Sequence, residues 1–108
     1  MIGIYQKYAT PQRVMAGDVV NVAGYRFVSL TDYINLRKPL LDLCNSINLK
    51  GTILLSDEGI NFSLTGTQES INSYLHYLSQ DERLAGIPLK VSYSDTQPFR
   101  RMLVRLKK

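Results

Sequence analysis

The chain has 108 residues, 44% of them hydrophobic and 20% charged, with 13 Lys+Arg against nine Asp+Glu and a formal charge of +4. That is one domain's length, able to bury a core without a metal or disulfide staple and too apolar for a disordered segment. One Cys and one His exclude a disulfide-built scaffold and a conventional zinc cage, and an enzyme needing two domains does not fit in this length.

Residues 1–19 read as an N-terminal extension. Lys7 and Arg13 stand there without a nearby acid, but Pro11 interrupts the stretch and Ser is absent, so a transit peptide is not inferred. Val19 to Leu30, rich in Val, Tyr and Phe, predicts a first strand, and a domain is expected over 20–108. Thr31 is placed to cap the next segment, where Tyr33, Leu36, Leu40, Leu43, Cys44 and Ile47 recur at helical spacing. Pro39 lies inside it, so one kinked helix is expected between 32 and 48.

Gly51 to Ser56 predicts a short strand, and Ile60, Phe62 and Leu64 alternate with Asn61, Ser63 and Thr65 in another. Between them Asp57-Glu58-Gly59 predicts a three-residue hairpin loop with glycine in the left-handed position. Thr67 is placed to cap a second helix carrying Ile71, Tyr74, Leu75 and Leu78 on one face and ending near Gln80. After a connector over 81–88, Leu89, Val91 and Tyr93 mark a half-buried strand, and a last strand is expected from Phe99 to Lys107. The order βαββαβ plus one C-terminal strand predicts an α+β, ferredoxin-like split βαβ sandwich with its first and third strands inside.

Few residues offer catalysis. Cys44 shares an apolar face with Leu40 and Ile47, where a thiol is desolvated; His76 falls on the solvent side of the second helix. Asp57 and Glu58 at a hairpin tip have no burial to raise a carboxyl pKa, so with Gly59 they read as turn residues. No catalytic residue, metal site or cofactor is expected in this domain. The third strand lacks the signature of an RNA-recognition motif, and Phe62 falls in its apolar row. Val28-Ser29-Leu30-Thr31 lacks the glycine-rich phosphate cradle of an acylphosphatase.

The C-terminal strand is more informative. A period of two puts Met102, Val104 and Leu106 on one face, with Phe99, Arg101, Leu103, Arg105 and Lys107 on the other. Arg100, Arg101, Arg105, Lys107 and Lys108 hold five of the 13 basic residues, leaving eight against nine acids elsewhere, a net of −1. With Met102, Val104 and Leu106 toward the helices, the basic row joins Lys90, Ser92, Asn61, Ser63 and Thr65 on the open sheet face. That surface suits a phosphate backbone, although cations on an edge strand also serve to prevent sheet-to-sheet pairing.

Several segments together then resemble one family. Tyr25-Arg26-Phe27-Val28-Ser29-Leu30, Leu36-Arg37-Lys38-Pro39-Leu40-Leu41, Lys50-Gly51-Thr52-Ile53-Leu54-Leu55, Glu58-Gly59-Ile60-Asn61 and Gln97-Pro98-Phe99-Arg100-Arg101-Met102 occur in order, followed by Val104-Arg105-Leu106-Lys107-Lys108. Over about 25–108 the chain resembles the N-terminal domain of the rhodanese-related tRNA wobble-uridine hydroxylases. The resemblance implies an acylphosphatase-like fold and a rhodanese domain downstream, bearing the essential cysteine, a role Cys44 does not inherit. It also implies an oxygen-dependent reaction that makes 5-hydroxyuridine at the wobble position of tRNA. Residues 1–19 are longer than the family's usual lead-in, and Asn61-Phe62-Ser63 stands where relatives often have Asn-Gly-Thr.

The expected role is a non-catalytic domain of a cytoplasmic tRNA hydroxylase that helps hold the anticodon arm, with no membrane association. Lys90, Arg100, Arg101, Arg105, Lys107 and Lys108 are the candidate nucleic-acid contacts. Two alternatives stand beside it. One is a module that docks on the rhodanese domain without touching RNA, burying Phe99 and Leu103; the other is a free-standing acylphosphatase-like hydrolase.

Overall fold

A computed structural model describes residues 18–107. In chain order it has β1 (Val19–Phe27), α1 (Tyr33–Ser46), β2 (Lys50–Ser56), β3 (Gly59–Gly66), α2 (Gln68–Ser79), β4 (Leu89–Ser94) and β5 (Met102–Leu106). The extension expected at 1–19 lies outside the described residues except for Asp18 and Val19, and Val19 already opens β1; Lys108 lies outside as well.

The sheet order is β4-β1-β3-β2-β5. β5 runs parallel to β2, and every other neighbouring pair is antiparallel. This is the α+β, ferredoxin-like arrangement with β1 and β3 inside, as expected. β5 adds one strand beyond it, which turns β2 from an edge into an interior strand.

Alternation decides what each strand buries. Val20 and Val22 of β1, Ile53 and Leu55 of β2, Ile60, Phe62 and Leu64 of β3, and Met102 and Val104 of β5 form the buried row. Leu40 and Cys44 of α1, which lies over β2 and β5, meet it from above. So do Ile71, Tyr74, Leu75 and Leu78 of α2, which lies over β1 and β3. Gly24 pairs with Phe62 across β1 and β3, and a Cβ there would come within 2.8 Å of the Phe62 ring. Its missing side chain makes room for Phe62, whose ring meets Tyr74 edge-on at 5.2 Å.

Four boundaries differ from the sequence reading. β1 stops at Phe27, because the next segment bends to the hairpin: Val28 N–H donates to the Glu58 carbonyl (3.1 Å) and Leu30 N–H to that of Asp57 (2.9 Å). Leu30 is thereby buried in a loop. Asp32, not Thr31, sits at the N-cap of α1 without a side-chain capping bond, its carboxylate being held by Arg83 instead. The helix runs through Pro39, whose ring is exposed.

The hairpin is a two-residue turn, Asp57-Glu58, with Gly59 already in β3 opposite Ser56. Gly59 is required there: its φ is +146°, and a Cβ would run into the Arg26 carbonyl. Finally, β5 begins at Met102 rather than Phe99. The chain must cross the sheet from β4 at one edge to β5 at the other, roughly 19 Å at about 4.8 Å per strand spacing. The connection from Ser94 to Met102 reaches at most about 27 Å, so 95–101 are used up in the crossing. The caps of α2 are as read, with Thr67 Oγ1 accepting from Ser70 N–H (3.0 Å).

Candidate nucleic-acid interface

The sheet face away from the helices is set by the same alternation. Asn21, Ala23, Tyr25 and Phe27 come from β1, Lys50, Thr52, Leu54 and Ser56 from β2, and Asn61, Ser63 and Thr65 from β3. Lys90, Ser92 and Ser94 come from β4, and Leu103 and Arg105 from β5. No strand residue on this face is acidic. The acids sit in the helix layer and its loops (Asp32, Asp42, Glu69, Asp81, Glu82) or at the ends of the sheet (Asp18, Asp57, Glu58, Asp95).

The cations divide in the same way. On the helix side Arg83 pairs with Asp32 (2.7 Å) and Asp81 (2.6 Å), and Lys38 with Asp42 (3.1 Å). Arg37 Nε donates to the Val104 carbonyl (2.7 Å), covering the outer edge of β5, and Arg26 donates to the Arg83 and Ala85 carbonyls (3.4 and 3.1 Å). The Arg83 guanidinium holds the carboxyls of Asp32 and Asp81 below their ordinary value of 3.8. By contrast, Lys50, Lys90, Arg100, Arg101, Arg105 and Lys107 make no ion pair or side-chain hydrogen bond among the described residues. Their charge is uncommitted.

Of the sequence candidates, Arg105 projects from β5 on the open face, with Arg101 just before the strand and Lys107 just after it continuing the same row, all three exposed. Arg101 and Lys107 are held at the ends of the strand, where the Arg101 carbonyl accepts from Gly51 N–H (2.8 Å) and Lys107 N–H donates to the Leu55 carbonyl (2.7 Å). Arg100 is exposed at the end of the crossing, and Lys108 lies outside the described residues. Lys90 shares the face but not the row: it stands on β4 at the opposite edge, about four strand spacings away.

Thr65, expected to be exposed, is fully buried. Its hydroxyl donates to Asn21 Oδ1 (2.7 Å), and Gln97 Nε2 of the crossing donates to its carbonyl (3.4 Å). Phe99 and Leu103 are already half-buried within the domain.

Three residues of the face escaped the sequence reading as site residues. Lys50 adds a cation on β2, level with Arg101. Tyr25 and Phe27 are 61% and 83% exposed, with ring centroids 5.4 Å apart and planes tilted by 56°. Beside them a shallow hollow of about 140 Å³ is lined by Tyr25, Phe27, Leu54, Asn61, Glu58 and Lys107. The signal for the aromatics was parity: Val20 and Val22 fix the inward row of β1, and Tyr25 and Phe27 belong to the other.

Cys44, His76 and the two turn acids lie where the sequence places them. Cys44 is buried, and desolvation pushes its thiol up to about 12. His76 is exposed on α2, and Asp57 and Glu58 form the hairpin turn, where Ser56 Oγ accepts from Glu58 N–H (3.1 Å).

The UPF0176 acylphosphatase-like domain matches residues 19–108. The chain belongs to this family. It is 51% identical over 90 residues to the tRNA uridine(34) hydroxylase of Cupriavidus pinatubonensis, covering 83% of this chain and 32% of that protein. With the tRNA uridine(34) hydroxylase of Ralstonia nicotianae it shares 50% identity, again over 83% and 32%. The UPF0176 chain thus spans about a third of the length of these relatives.

Among solved structures, the BLUF protein BlrB in its dark state aligns with a TM-score of 0.67 at 13% identity, over 85% of this chain and 75% of that one. Full-length HypF in its phosphate- and nucleotide-bound form gives 0.55 at 12% identity, over 82% and 12%. At such low identity these two share the fold of the UPF0176 domain and nothing more is carried over from them.

Proposed function

We propose that this UPF0176 domain is the N-terminal part of a cytoplasmic tRNA uridine(34) hydroxylase and serves it by holding tRNA, not by performing chemistry. In this reading a rhodanese domain downstream carries the essential cysteine and performs the oxygen-dependent formation of 5-hydroxyuridine. The name shared by the half-identical relatives supports the parent enzyme. The observation that supports the RNA role is the uncommitted row of Arg101, Arg105 and Lys107 on a face whose strands carry no acid.

Such cations gain affinity by displacing the counterions of a phosphate backbone, and they position it without reading sequence. Lys50 extends the row inward, while Lys90 at the far edge contacts a separate phosphate or none. The small side chains of Ser63 and Thr52 between them let a backbone approach closely.

The test is kinetic. In the hydroxylase that contains this domain, Arg101→Ala with Arg105→Ala and Lys107→Ala raises KM for tRNA by roughly tenfold or more and leaves kcat near wild type. The competing role, docking on the downstream domain without RNA contact, draws on the apolar groups Tyr25, Phe27 and Leu54 on the same face. It predicts instead that the triple substitution leaves KM unchanged, and that Phe27→Ala makes the enzyme unfold at lower temperature.

A further inference from the structure

The basic row explains phosphate attraction but not the two aromatics beside it. Adjoining exposed apolar side chains mark interaction surfaces, and Phe27, at 83% exposure, is the most exposed large apolar side chain among the described residues. It stands with Tyr25 on β1, on the same face as Arg105 and Lys107 and three strand spacings from β5. The hollow between is floored by Leu54 and Asn61, with Lys107 on its far wall and Glu58 at its hairpin end.

We infer that Tyr25 and Phe27 form a stacking subsite for an unpaired nucleobase of the RNA whose phosphates the β5 cations hold. The inference rests on the RNA-holding role proposed above and deepens it by naming the part of the substrate engaged: a single-stranded loop rather than a duplex. A base in a helix is already stacked on both sides, whereas one in a loop can be splayed onto an aromatic ring.

The chemistry of the hollow fits that occupant. The rings of Phe27 and Tyr25 offer π surface to any base, and the Asn61 amide offers a donor and an acceptor to a base edge. Glu58 accepts from a base amino or imino group and repels a phosphate, so the base enters at the hairpin end and the phosphate turns toward Lys107 and Arg105. Charge complementarity selects RNA over an apolar partner. A hydrophobic docking surface would have little use for Lys107 in the wall of its hollow and Arg105 of β5 next to Leu54.

The chain contains no Trp, so Phe27→Trp places a single fluorescent reporter at the subsite while keeping an aromatic ring. The probes are a seven-nucleotide single-stranded RNA and an abasic heptamer of the same backbone. Binding is measured by anisotropy, and thermal midpoints confirm that each variant folds.

The subsite predicts that the RNA heptamer quenches the Phe27→Trp reporter and the abasic one does not. Phe27→Ala then weakens binding of the RNA heptamer by at least about fivefold. It leaves the abasic heptamer and the salt dependence unchanged, and Phe27→Trp retains wild-type affinity. If Phe27→Ala binds the RNA heptamer as wild type does, while charge removal at Arg105 and Lys107 weakens it, the subsite is wrong and the RNA-holding role stands. If the wild-type chain binds neither the heptamer nor tRNA at low salt, that role falls and the subsite falls with it. If Phe27→Ala instead abolishes self-association with RNA binding intact, the occupant is a second copy of the chain, and the inference is overturned.

Discussion

Tyr74 is completely buried under the sheet, and its hydroxyl has no hydrogen-bond partner among the described residues. Burial holds its pKa well above the ordinary value of 10, so the phenol stays neutral. A buried unsatisfied hydroxyl loses its water bonds and recovers nothing for them. Tyr74→Phe keeps the edge-on contact with Phe62 and removes that penalty, so it should raise stability by about 1 kcal/mol, a midpoint increase of roughly 4–8 °C. Calorimetry checks this, and a lower midpoint would mean that the hydroxyl is satisfied in the folded protein. The inward position of Tyr74 was legible in its helical spacing with Ile71 and Leu78, since a one-sided helix allows few alternatives. The outward position of Phe27 was not read out, although hydrophobicity and parity disagree there. Arg26 takes the inward row instead because the Arg83 and Ala85 carbonyls receive its guanidinium, partners that no local pattern announces.

At the level of elements, Arg83 is the fastening between the loop after α2 and the start of α1. Both of its carboxylate partners, Asp32 and Asp81, are held below their ordinary value of 3.8. A carboxylate with a depressed folded pKa contributes stability above its unfolded value and loses that contribution as pH falls through the folded one. Arg83→Gln should therefore lower stability at pH 7, and urea midpoints of variant and wild type should converge as pH drops well below 3.8. A difference that persists in acid would show that Arg83 acts by packing rather than by charge. The strands and helices themselves were visible as runs of alternation and helical spacing. What was hidden is how they end: the bend after Phe27 depends on the hairpin carbonyls of Glu58 and Asp57, 30 and 27 residues on from the Val28 and Leu30 N–H groups they accept from. The late start of β5 depends on the width of the sheet that 95–101 must cross. These are long-range constraints, and local periodicity does not carry them.

At the largest scale, the described residues form a two-sided charge distribution: an acid-bearing helix layer whose arginines and Lys38 are committed to partners, and a sheet face whose cations have none among those residues. The clustering of charge after Arg100 was legible in the sequence, as was the face it would occupy once Met102 and Val104 turned inward. The separation of Lys90 from that cluster was not, because strand order alone sets it and β5 could have joined either edge. The central claim is that Arg101, Arg105 and Lys107 meet RNA phosphates together. The direct measurement is the affinity of this chain for tRNA across a salt series, compared with a variant carrying Ala at those three positions. Loss of three phosphate contacts should flatten the slope of log K against log salt by roughly two to three. An identical slope and affinity in the two proteins would contradict the account.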